Sequence, residues 1–378
     1  MKPEKIKWAL LGGGAGSLIG IVHRIAAGMG DEYQLTGGVF NRDRHTSLQL
    51  ARDLGLDPKR TYADLDAMIA AEKALPEAER VKVVTVATPN YLHFEMARQL
   101  IEGGFHVICE KPVTSTAAEA ETLAALLKSR KLIFAVAHTY TGYPMVRQMR
   151  GMIAAGLIGP IQKMDARYYQ GWINAVIHDP AKRGTVWRLD PKQGGQSSCV
   201  GDIGVHAFNL IEYTTGLQVR QLLSDLETLY PDNTLDVDGS ILLRFGQGVK
   251  GVLCASQIAT AEENNLRIAV YGRTGALKWE QENPNRLEFL QEGKPLQILT
   301  PGHEYNLPQA RQAAKLPPGH PEGFIDAMAN IYRGAAEAIN AQAVDPGAYP
   351  DIDAGVRGMR FIEAVLKSSR DGNVWVPI

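Results

Sequence analysis

The chain has 378 residues, enough for two or three domains of ordinary size. Hydrophobic residues make up 45% and charged residues 21% of the sequence, which excludes a disordered, collagen-like or coiled-coil protein. The formal net charge is −1, so the sequence predicts no nucleic-acid partner and no membrane partner. Three cysteines without a CxxC pair favour a reducing compartment, and a cytoplasmic location is expected.

Strands and helices alternate in the first third of the chain. An apolar strand at 6–11 leads through a glycine-rich turn into a helix at 17–28. The alternation then continues with strands at 34–40, 81–87, 105–109 and 132–138 and helices at 44–54, 91–102 and 116–129. Alternation with short connections predicts a parallel, doubly wound α/β sheet.

The pattern changes after about residue 160, where strand-like runs follow one another with few helices. These runs lie at 162–169, 218–228, 238–245, 249–258, 266–271, 276–280 and 286–290. They predict a second domain built on a mainly antiparallel sheet. A final helix is expected at 353–368, and the proline-bounded segment 300–319 is interpreted as a long functional loop.

The turn after the first strand reads Gly12-Gly13-Gly14-Ala15-Gly16 and opens a helix. A phosphate needs close backbone N–H groups and the positive end of a helix, and a Cβ at the closest points would block its approach. Four glycines in five residues therefore predict a dinucleotide site.

The end of the second strand normally carries an acid for the adenosine ribose, but here it carries Asn41. Asn41 removes repulsion against a 2′-phosphate, which Arg42 or Arg44 could bind, and it could equally bond the hydroxyls of NAD. The choice between NAD and NADP is therefore open, and the arginines could also be a solvated helix start.

Two motifs contain the candidate catalytic residues. Lys111 follows a buried strand, where ligands of open α/β sheets sit, and Pro112 is a candidate for a cis peptide. Asp202 and His206 lie four residues apart, so on a helix they share a face, and histidine accepts protons near neutrality. The alternatives are a solvated lysine, a helix-capping acid and a core histidine. No metal-ligand spacing is present, so no metal is expected.

Five motifs occur in order along the chain: GGGAG, TPNYLH, EKP, WR followed by GG, and GDIGVH. This set resembles the glucose–fructose oxidoreductase / inositol dehydrogenase / MocA family over essentially the whole chain. The segments LPPGHPEG and HTYTGYPMVRQ also look like a bacterial subgroup of largely unassigned sugar or polyol dehydrogenases.

The resemblance implies an N-terminal Rossmann domain with a doubly wound parallel sheet, at 1–140, and a C-terminal α+β domain with a large open-faced, mainly antiparallel sheet, at 141–378. The C-terminal helix is a candidate for packing back on the first domain. Substrate is expected between the domains, and the C-terminal sheet is expected to form a homodimer or homotetramer.

The family's catalytic trio corresponds to Lys111, Asp202 and His206. The resemblance implies that Lys111 stabilises charge on the reacting oxygen, that His206 takes the hydroxyl proton and that Asp202 holds His206 or binds a neighbouring hydroxyl. The expected cofactor is NAD or NADP. Its expected contacts are Gly12, Gly14, Ala15, Gly16, Ser17, Asn41, Arg42, Thr88, Asn90, His93, Glu110, Lys111, Trp187 and Arg188.

The glycine turn departs from the family's GxGxxG pattern. The last glycine of that pattern corresponds to Gly20, shortly before His23, which implies an insertion of about three residues within 15–18. The cofactor contacts of Ala15, Gly16 and Ser17 are the ones that this insertion affects.

Substrate contacts are expected from residues around the trio. Tyr169 and Trp172 could stack on a sugar ring or simply cap the sheet. His320, with Glu322, could bind sugar hydroxyls or belong to a helix entry. The complete set of expected substrate contacts is Lys111, His138, Tyr169, Trp172, Asp202, His206 and His320.

Three functions fit these observations. The first is a dehydrogenase that transfers hydride between NAD(P) and a secondary hydroxyl or ketone of a cyclic sugar, glycoside or inositol. The second is a redox-neutral enzyme that retains NAD and cleaves or eliminates a glycoside. The third is a non-catalytic, dinucleotide-sensing regulator, which has no need for the intact trio.

Overall fold

The computed structural model describes residues 4–340 and 346–378. Residues 1–3 and 341–345, which fall inside the two predicted domains, lie outside the described residues. The described chain divides into two compact units. The first unit is Met1–Thr139 with Met328–Val356, and the second unit is Tyr140–Ala327 with Arg357–Ile378. The predicted domains, 1–140 and 141–378, remain a prediction, and they differ from this division in placing 328–356 with the second part.

The first unit is built on a five-stranded parallel sheet. Its elements up to residue 139 are β1 Ile6–Gly12, α1 Leu18–Met29, β2 Tyr33–Val39, α2 Arg44–Asp53, α3 Leu65–Ala74, β3 Val83–Ala87, α4 His93–Gly103, β4 His106–Cys109, α5 Ala117–Lys128 and β5 Phe134–Val136. The strand order is β2-β1-β3-β4-β5, and every neighbouring pair is parallel. The predicted doubly wound sheet is therefore confirmed.

Local sequence explains where these elements begin and how deeply they lie. All five residues of β3, VVTVA, are buried, as expected for the centre of a parallel sheet. The Ser17 side chain accepts the Gly20 N–H and caps α1. Thr116 and Glu119 form a reciprocal capping box at the start of α5. The carboxyl ends of β1, β3 and β4 thus lead directly into the segments that carry the predicted cofactor residues.

The second unit is built on a nine-stranded sheet. The remaining elements are α6 Pro144–Ala154, β6 Ile161–Tyr169, α7 Asn174–Ile177, α8 Pro180–Arg183, α9 Pro191–Gly194, α10 Val205–Thr215, β7 Val219–Glu227, β8 Asp238–Phe245, β9 Lys250–Ser256, β10 Asn265–Gly272, β11 Gly275–Glu280, β12 Leu287–Gln291, β13 Gln297–Leu299, α11 Pro308–Ala313, α12 Phe324–Ile339, α13 Ile352–Arg370 and β14 Val376–Pro377. The strand order is β13-β12-β11-β10-β6-β9-β8-β7-β14. The β6–β9 pair is parallel and the other neighbouring pairs are antiparallel, which confirms the mainly antiparallel sheet.

Several helices were not predicted. The segment 300–319, expected to be a loop, contains α11. Helices α6 and α12 are buried over long stretches, Pro144–Met149 and Ala327–Tyr332, with no exposed residue in either. Apolar residues recur at helical spacing in both helices, so the sequence contained a helical signal that was not used.

The two faces of the second sheet have different surroundings. On β6, Met164, Ala166 and Tyr168 are buried, whereas Asp165 and Arg167 lie on the opposite face. That second face has a cavity of about 620 Å³. Its charged lining residues are Asp165, Arg167, Arg267, Lys278, Glu280, Arg286 and Glu288, and none of the predicted site residues lines it.

None of the helices in the described ranges is both long and apolar enough to cross a membrane.

Candidate active site

The glycine turn of the first unit has no room for side chains at its critical positions. A Cβ on Gly12 would lie 2.5 Å from the Ala87 carbonyl oxygen, and a Cβ on Gly14 would lie 2.5 Å from the Phe40 carbonyl oxygen. The turn therefore packs tightly against the ends of β2 and β3, and its exposed residues are Ala15 and Gly16. This cradle, at the N-terminus of α1, fits the pyrophosphate of a dinucleotide.

Gly20 brings α1 against the turn. A Cβ on Gly20 would lie 2.2 Å from the Gly13 carbonyl oxygen, so only glycine allows this close packing of helix and turn. That is the role of the last glycine in a dinucleotide fingerprint. Ala15 and Gly16 lie on the exposed part of the turn, and Gly16 has no neighbour within 4 Å of its Cβ position. Their cofactor contacts stay predictions.

Asn41 and Arg42 are both exposed at the end of β2. The Asn41 side chain accepts the Asp43 N–H at 2.9 Å, and its amide nitrogen lies 3.6 Å from the Cβ position of Gly14. Arg42 donates a hydrogen bond to the Tyr91 hydroxyl. The amide and the guanidinium are thus held beside the glycine turn.

His93 connects the segments that follow β3 and β4. Its ring is fully buried, with Nδ1 2.8 Å from the Pro112 carbonyl oxygen and Nε2 2.8 Å from the Thr88 carbonyl oxygen. Burial lowers the pKa of His93, although both of these contacts oppose the shift. The ring holds two loops together, which differs from the cofactor contact implied by the resemblance; that contact stays a prediction, as do those of Thr88 and Asn90.

Lys111 lies half-buried in the loop after β4. The peptide between Lys111 and Pro112 is cis, as the sequence predicts. The Glu110 carboxylate accepts the Lys111 backbone N–H with Oε2 at 3.1 Å and is hydrogen-bonded to His23 Nε2 through Oε1 at 3.1 Å. Burial raises the pKa of Glu110, but the hydrogen bond from His23 and the charge of Lys111 outweigh it, so the pKa is lowered. Glu110 is an ionised, internally bonded residue that fixes the start of this loop.

His138 is buried in the first unit, and its surroundings keep it neutral. Burial and the charge of Lys111 lower the pKa of His138 to about 3, against the opposing effect of Glu110. A histidine with this pKa can bond a hydroxyl group but does not act as a base through a proton cycle near neutrality.

In the second unit, a π-helical turn, Val200–Gly204, precedes α10 and carries Asp202. The buried Asp236 carboxylate holds its start, accepting the Ser198 N–H at 3.0 Å and the Val200 N–H at 2.7 Å. Burial raises the pKa of Asp236, against the hydrogen bonds that it accepts. Single π-helical turns are rare and often occur at functional sites.

The Asp202 carboxylate faces two polar groups from other segments. Gln257 donates to Asp202 Oδ2 at 3.1 Å, and Arg188 Nε lies 3.1 Å from the same oxygen. The Asp202 side chain is 22% exposed, so this ion pair has partial access to solvent. Asp202 is therefore a charged, oriented group at the edge of the unit.

His206 lies one helical turn further on, almost buried between aromatic rings. The Tyr140 ring meets it edge-on with centroids 4.9 Å apart, and the Tyr168 ring lies 6.3 Å away. Tyr140 donates to the Tyr168 hydroxyl at 2.5 Å, since Tyr168 itself donates to Asn264 Oδ1 at 2.5 Å. Burial raises the pKa of Tyr168 well above its usual value, so this hydroxyl stays protonated.

Tyr169, the tyrosine chosen from the sequence, lies on the other face of β6. Successive side chains of a strand alternate between faces, so Tyr169 shares the polar face with Arg167, whose guanidinium is 5.3 Å from its ring. Tyr168 is the neighbour of His206. The sequence pattern YYQGW contains both residues, and only the register of the sheet distinguishes them.

Arg188 links the expected aromatic residues to Asp202. Its guanidinium lies 4.5 Å from the Trp187 ring and 6.0 Å from the Trp172 ring, and both tryptophans are more than a third exposed. The segment that carries these residues is anchored by a small apolar cluster of Ile173, Ile177, Leu189 and Val237.

By contrast, His320 is exposed, with Nδ1 3.2 Å from the Pro317 carbonyl oxygen. Glu322 is buried and accepts the backbone N–H groups of Lys315 and Leu316.

Two family models match this chain. The model described as "Oxidoreductase family, NAD-binding Rossmann fold" matches residues 6–138. The model described as "GFO/IDH/MocA C-terminal domain" matches residues 146–278. An uncharacterized oxidoreductase of Bacillus subtilis, YfiI, is 32% identical over 99% of this chain and 97% of its own.

This chain belongs to the GFO/IDH/MocA oxidoreductase family.

Two solved structures resemble the chain over nearly the whole length of both proteins. An oxidoreductase from Sinorhizobium meliloti is 38% identical, with a TM-score of 0.88, over 99% of this chain and 100% of that one. An inositol dehydrogenase homologue from Azotobacter vinelandii, complexed with NADH and myo-inositol, is 31% identical with a TM-score of 0.89, over 99% of this chain and 98% of that one. The predicted family and the predicted enzyme class, an NAD(P)-dependent oxidoreductase, are confirmed.

The structure also shows residues of this GFO/IDH/MocA chain that the sequence analysis missed. Tyr140, Tyr168, Gln257 and Asp236 surround or support Asp202 and His206. In the sequence of β6, apolar residues alternate with charged ones, and this alternation favours Tyr168 for the buried face. Gln257 and Asp236 stand in no motif, and only the tertiary contacts identify them.

Proposed function

We propose that this protein is an NAD(P)-dependent dehydrogenase of a cyclic sugar, glycoside or inositol, acting on a secondary hydroxyl and, in reverse, on the corresponding ketone. The observation that carries the proposal is the arrangement in the second unit. A nearly buried histidine, His206, packs against Tyr140 and follows Asp202, a carboxylate oriented by Gln257 and Arg188. A shielded base next to an oriented acid suits proton removal from a hydroxyl group.

The glycine turn supports the cofactor part of the proposal. Gly12, Gly14 and the start of α1 would hold the pyrophosphate, since only glycine at these two positions lets the turn pack against Ala87 and Phe40 at the N-terminus of α1. When bound, the nicotinamide ring supplies the acceptor or donor for hydride. Thr88 and Asn90, two further expected cofactor residues of the first unit, follow the neighbouring strand β3.

His206 is assigned the role of base. One ring nitrogen takes the hydroxyl proton as the carbon–hydrogen bond breaks, and the Tyr140 and Tyr168 rings limit the access of water to the imidazole. Asp202 is assigned to orient the reacting group or to bind a neighbouring hydroxyl. Arg188 Nε lies 3.1 Å from Asp202 Oδ2, so the guanidinium offsets the charge of the carboxylate.

Lys111 is assigned to the reacting oxygen. An ammonium group stabilises the negative charge that develops there during proton removal, in the way that oriented cations stabilise alkoxides. Glu110 fixes the backbone of Lys111, so the side chain starts from a defined position. Trp172 and Trp187 present exposed ring faces beside Arg188, and such faces suit the C–H groups of a sugar or inositol ring. The myo-inositol complex of the relative from Azotobacter vinelandii supports this substrate class.

The choice of dinucleotide is assigned to Asn41 and Arg42. The exposed Asn41 amide could serve the ribose hydroxyls of NAD, and the exposed Arg42 guanidinium could pair with the 2′-phosphate of NADP. Rates with each cofactor at limiting concentration decide between them.

We also infer a homodimer or homotetramer formed through the sheet of the second unit. Its polar face mixes charges of both signs, such as Arg267 and Glu288, which suits a self-complementary interface. Light scattering of the purified protein tests this assembly, and a monomer at micromolar concentration would rule it out.

The deciding experiment measures NAD(P)H formation with a panel of inositols, cyclic sugars and glycosides, supplied with each cofactor in turn. We expect at least one substrate to be oxidised, and Lys111→Met to lower kcat/KM by roughly a hundred-fold or more. Lys128→Met, at an exposed lysine near the end of α5, is the matched control and should leave the rate unchanged. No activity across the panel, or an unaffected Lys111→Met variant, would refute the proposal.

A further inference from the structure

A chain of hydrogen bonds joins five buried side chains of the first unit. Trp8 Nε1 donates to Thr85 Oγ1 at 2.8 Å, and Thr85 Oγ1 lies 2.8 Å from the Tyr332 hydroxyl. The Tyr332 hydroxyl lies 2.9 Å from His23 Nδ1, and His23 Nε2 lies 3.1 Å from Glu110 Oε1. The residues come from β1, β3, α12, α1 and the end of β4. The chain of bonds therefore connects α12 to the Lys111 loop.

The first and last members of this series of hydrogen bonds have fixed donor and acceptor roles. The indole N–H of Trp8 can only donate, and an ionised Glu110 carboxylate can only accept. If every bond is satisfied in one direction, Thr85 donates to Tyr332, and Tyr332 donates to His23 Nδ1. His23 then donates its Nε2 proton to Glu110. The geometry thus selects one tautomer of the histidine ring.

Water cannot easily replace a member of this chain. Trp8, Thr85, Tyr332 and His23 are each 1% exposed or less, and Glu110 is 9% exposed. A buried polar group that loses its partner therefore stays unsatisfied, which costs free energy. Networks of this kind fix the orientation of their members more firmly than exposed hydrogen bonds do.

The acceptor end of the chain meets the proposed active site. Glu110 Oε1 faces His23, while Oε2 accepts the Lys111 backbone N–H at 3.1 Å. The position of the carboxylate therefore determines where the Lys111 backbone lies. We propose that Tyr332 is a positioning residue for Lys111, because its hydroxyl orients the His23 ring, His23 orients Glu110 and Glu110 holds the Lys111 backbone. This inference rests on the proposed function, which makes Lys111 catalytic.

Loss of the Tyr332 hydroxyl would act through the histidine. Without the Tyr332 hydroxyl, Nδ1 of His23 loses the partner that Tyr332 supplied, and of the two bonds only the one from Nε2 to Glu110 still orients the ring. The ring and the Glu110 carboxylate would then be held less firmly. Glu110 would shift, and the Lys111 backbone would shift with it.

Tyr332→Phe removes this hydroxyl, and Tyr33→Phe is the matched control. Tyr33 is also buried, and its ring contacts Tyr332 edge-on at 5.3 Å. Its hydroxyl donates to the Tyr332 carbonyl oxygen at 2.7 Å, outside the chain of bonds. Each variant thus loses one buried hydroxyl bond in the same region. We expect both variants to lose similar thermal stability.

The kinetic readout is the division of the effect between kcat and KM. We expect Tyr332→Phe to lower kcat roughly ten-fold, below the roughly hundred-fold cost of a 1 Å misplacement, with little change in the KM of the cofactor. Tyr33→Phe should keep the kcat of the wild type. Equal kcat values in the two variants would overturn the inference.

A second readout needs neither cofactor nor turnover. In ¹⁵N NMR spectra of the ring nitrogens, wild-type His23 should carry a proton on Nε2, and Tyr332→Phe should shift the Nδ1 signal because that atom loses its hydrogen-bond partner. An Nδ1–H tautomer in the wild type would overturn the inference even if Tyr332→Phe failed to fold. In that case Thr85→Val, compared with Thr85→Ser, tests the next link of the chain, and a kcat for Thr85→Val equal to that of Thr85→Ser would count against it.

Failure of this inference is distinguishable from failure of the proposed function. If Lys111→Met remains fully active, the proposed function fails, whatever the tautomer of His23. If Lys111→Met is inactive while Tyr332→Phe matches Tyr33→Phe, the function stands and only the role of Tyr332 falls.

Discussion

The two units assemble their candidate site residues in different ways. In the first unit, the glycine turn and Lys111 each lie in a short motif at the end of a parallel strand. In the second unit, Asp202 and His206 share one motif, but Tyr168, Arg188 and Gln257 come from three other segments and meet them only in the folded structure. Substitutions in the glycine turn should act mainly on cofactor binding, whereas substitutions at Lys111 and in the second unit should act mainly on the chemical step.

The largest effect is expected at His206. His206→Asn removes the proposed base, and we expect kcat to fall by about 10²–10⁴-fold because general base catalysis contributes on that scale. Dinucleotide affinity, measured by the fluorescence of bound NAD(P)H, should stay within a factor of two or so of the wild type. His178→Asn is the matched control, since His178 is an exposed histidine of the same unit. A large loss of dinucleotide affinity in His206→Asn would contradict the division of roles.

For Gly14→Ala, in contrast to His206→Asn, we expect a loss of dinucleotide affinity. A Cβ placed 2.5 Å from the Phe40 carbonyl oxygen forces the turn to move by roughly 1 Å, and dinucleotide affinity should fall roughly a hundred-fold. Gly28→Ala is the control, because Gly28 lies exposed in α1 with open space at its Cβ position. Alanine there should stabilise the protein by about 0.5–1 kcal/mol. If calorimetry shows that Gly14→Ala binds the dinucleotide as tightly as the wild type does, the turn does not hold the cofactor.

A smaller effect is expected at Asp236, which anchors the π-helical turn. Asp236→Asn places an NH₂ group against one of two backbone N–H donors, so the free energy of unfolding should fall by about 1–3 kcal/mol. Asp232→Asn removes an exposed ion pair with Arg183, and it should cost only about 0–1 kcal/mol. Urea unfolding compares the two variants, and equal costs would show that Asp236 has no special structural role.

The last prediction concerns the pH dependence of the free energy of unfolding, to which His138 of the first unit contributes. Burial, together with Lys111, lowers the pKa of His138 to about 3, below its value of 6.5 in the unfolded chain. Between pH 6.5 and 3 the unfolded chain binds a proton that the folded protein does not, so stability is complete above pH 6.5 and falls as the pH decreases.

The expected slope from His138 is about 1.4 kcal/mol per pH unit. Urea unfolding at pH 7 and pH 5 should show a smaller pH dependence in His138→Gln than in the wild type. The same pH dependence in both proteins would mean that His138 is not the neutral, buried group that its surroundings imply.

The sequence by itself determined the features that depend on local order. Strand and helix alternation predicted the parallel sheet. The glycine-rich sequence predicted a tight turn, and the structure shows that Gly12 and Gly14 have no room for a Cβ. The EKP motif made Pro112 a candidate for the cis peptide that the structure contains. The GFO/IDH/MocA family also followed from the order of its motifs. These features need only neighbours in the chain, so one sequence contains the information.

The tertiary structure alone decided what depends on burial and on distant partners. It placed Tyr168 rather than Tyr169 beside His206, because the register of β6 sets which face each tyrosine occupies. It also brought Asp236 to the π-helical turn and Tyr332 to His23, 309 residues away. A polar side chain becomes a specific anchor only when the fold removes water from it and supplies one partner, and no local pattern in the sequence records that event.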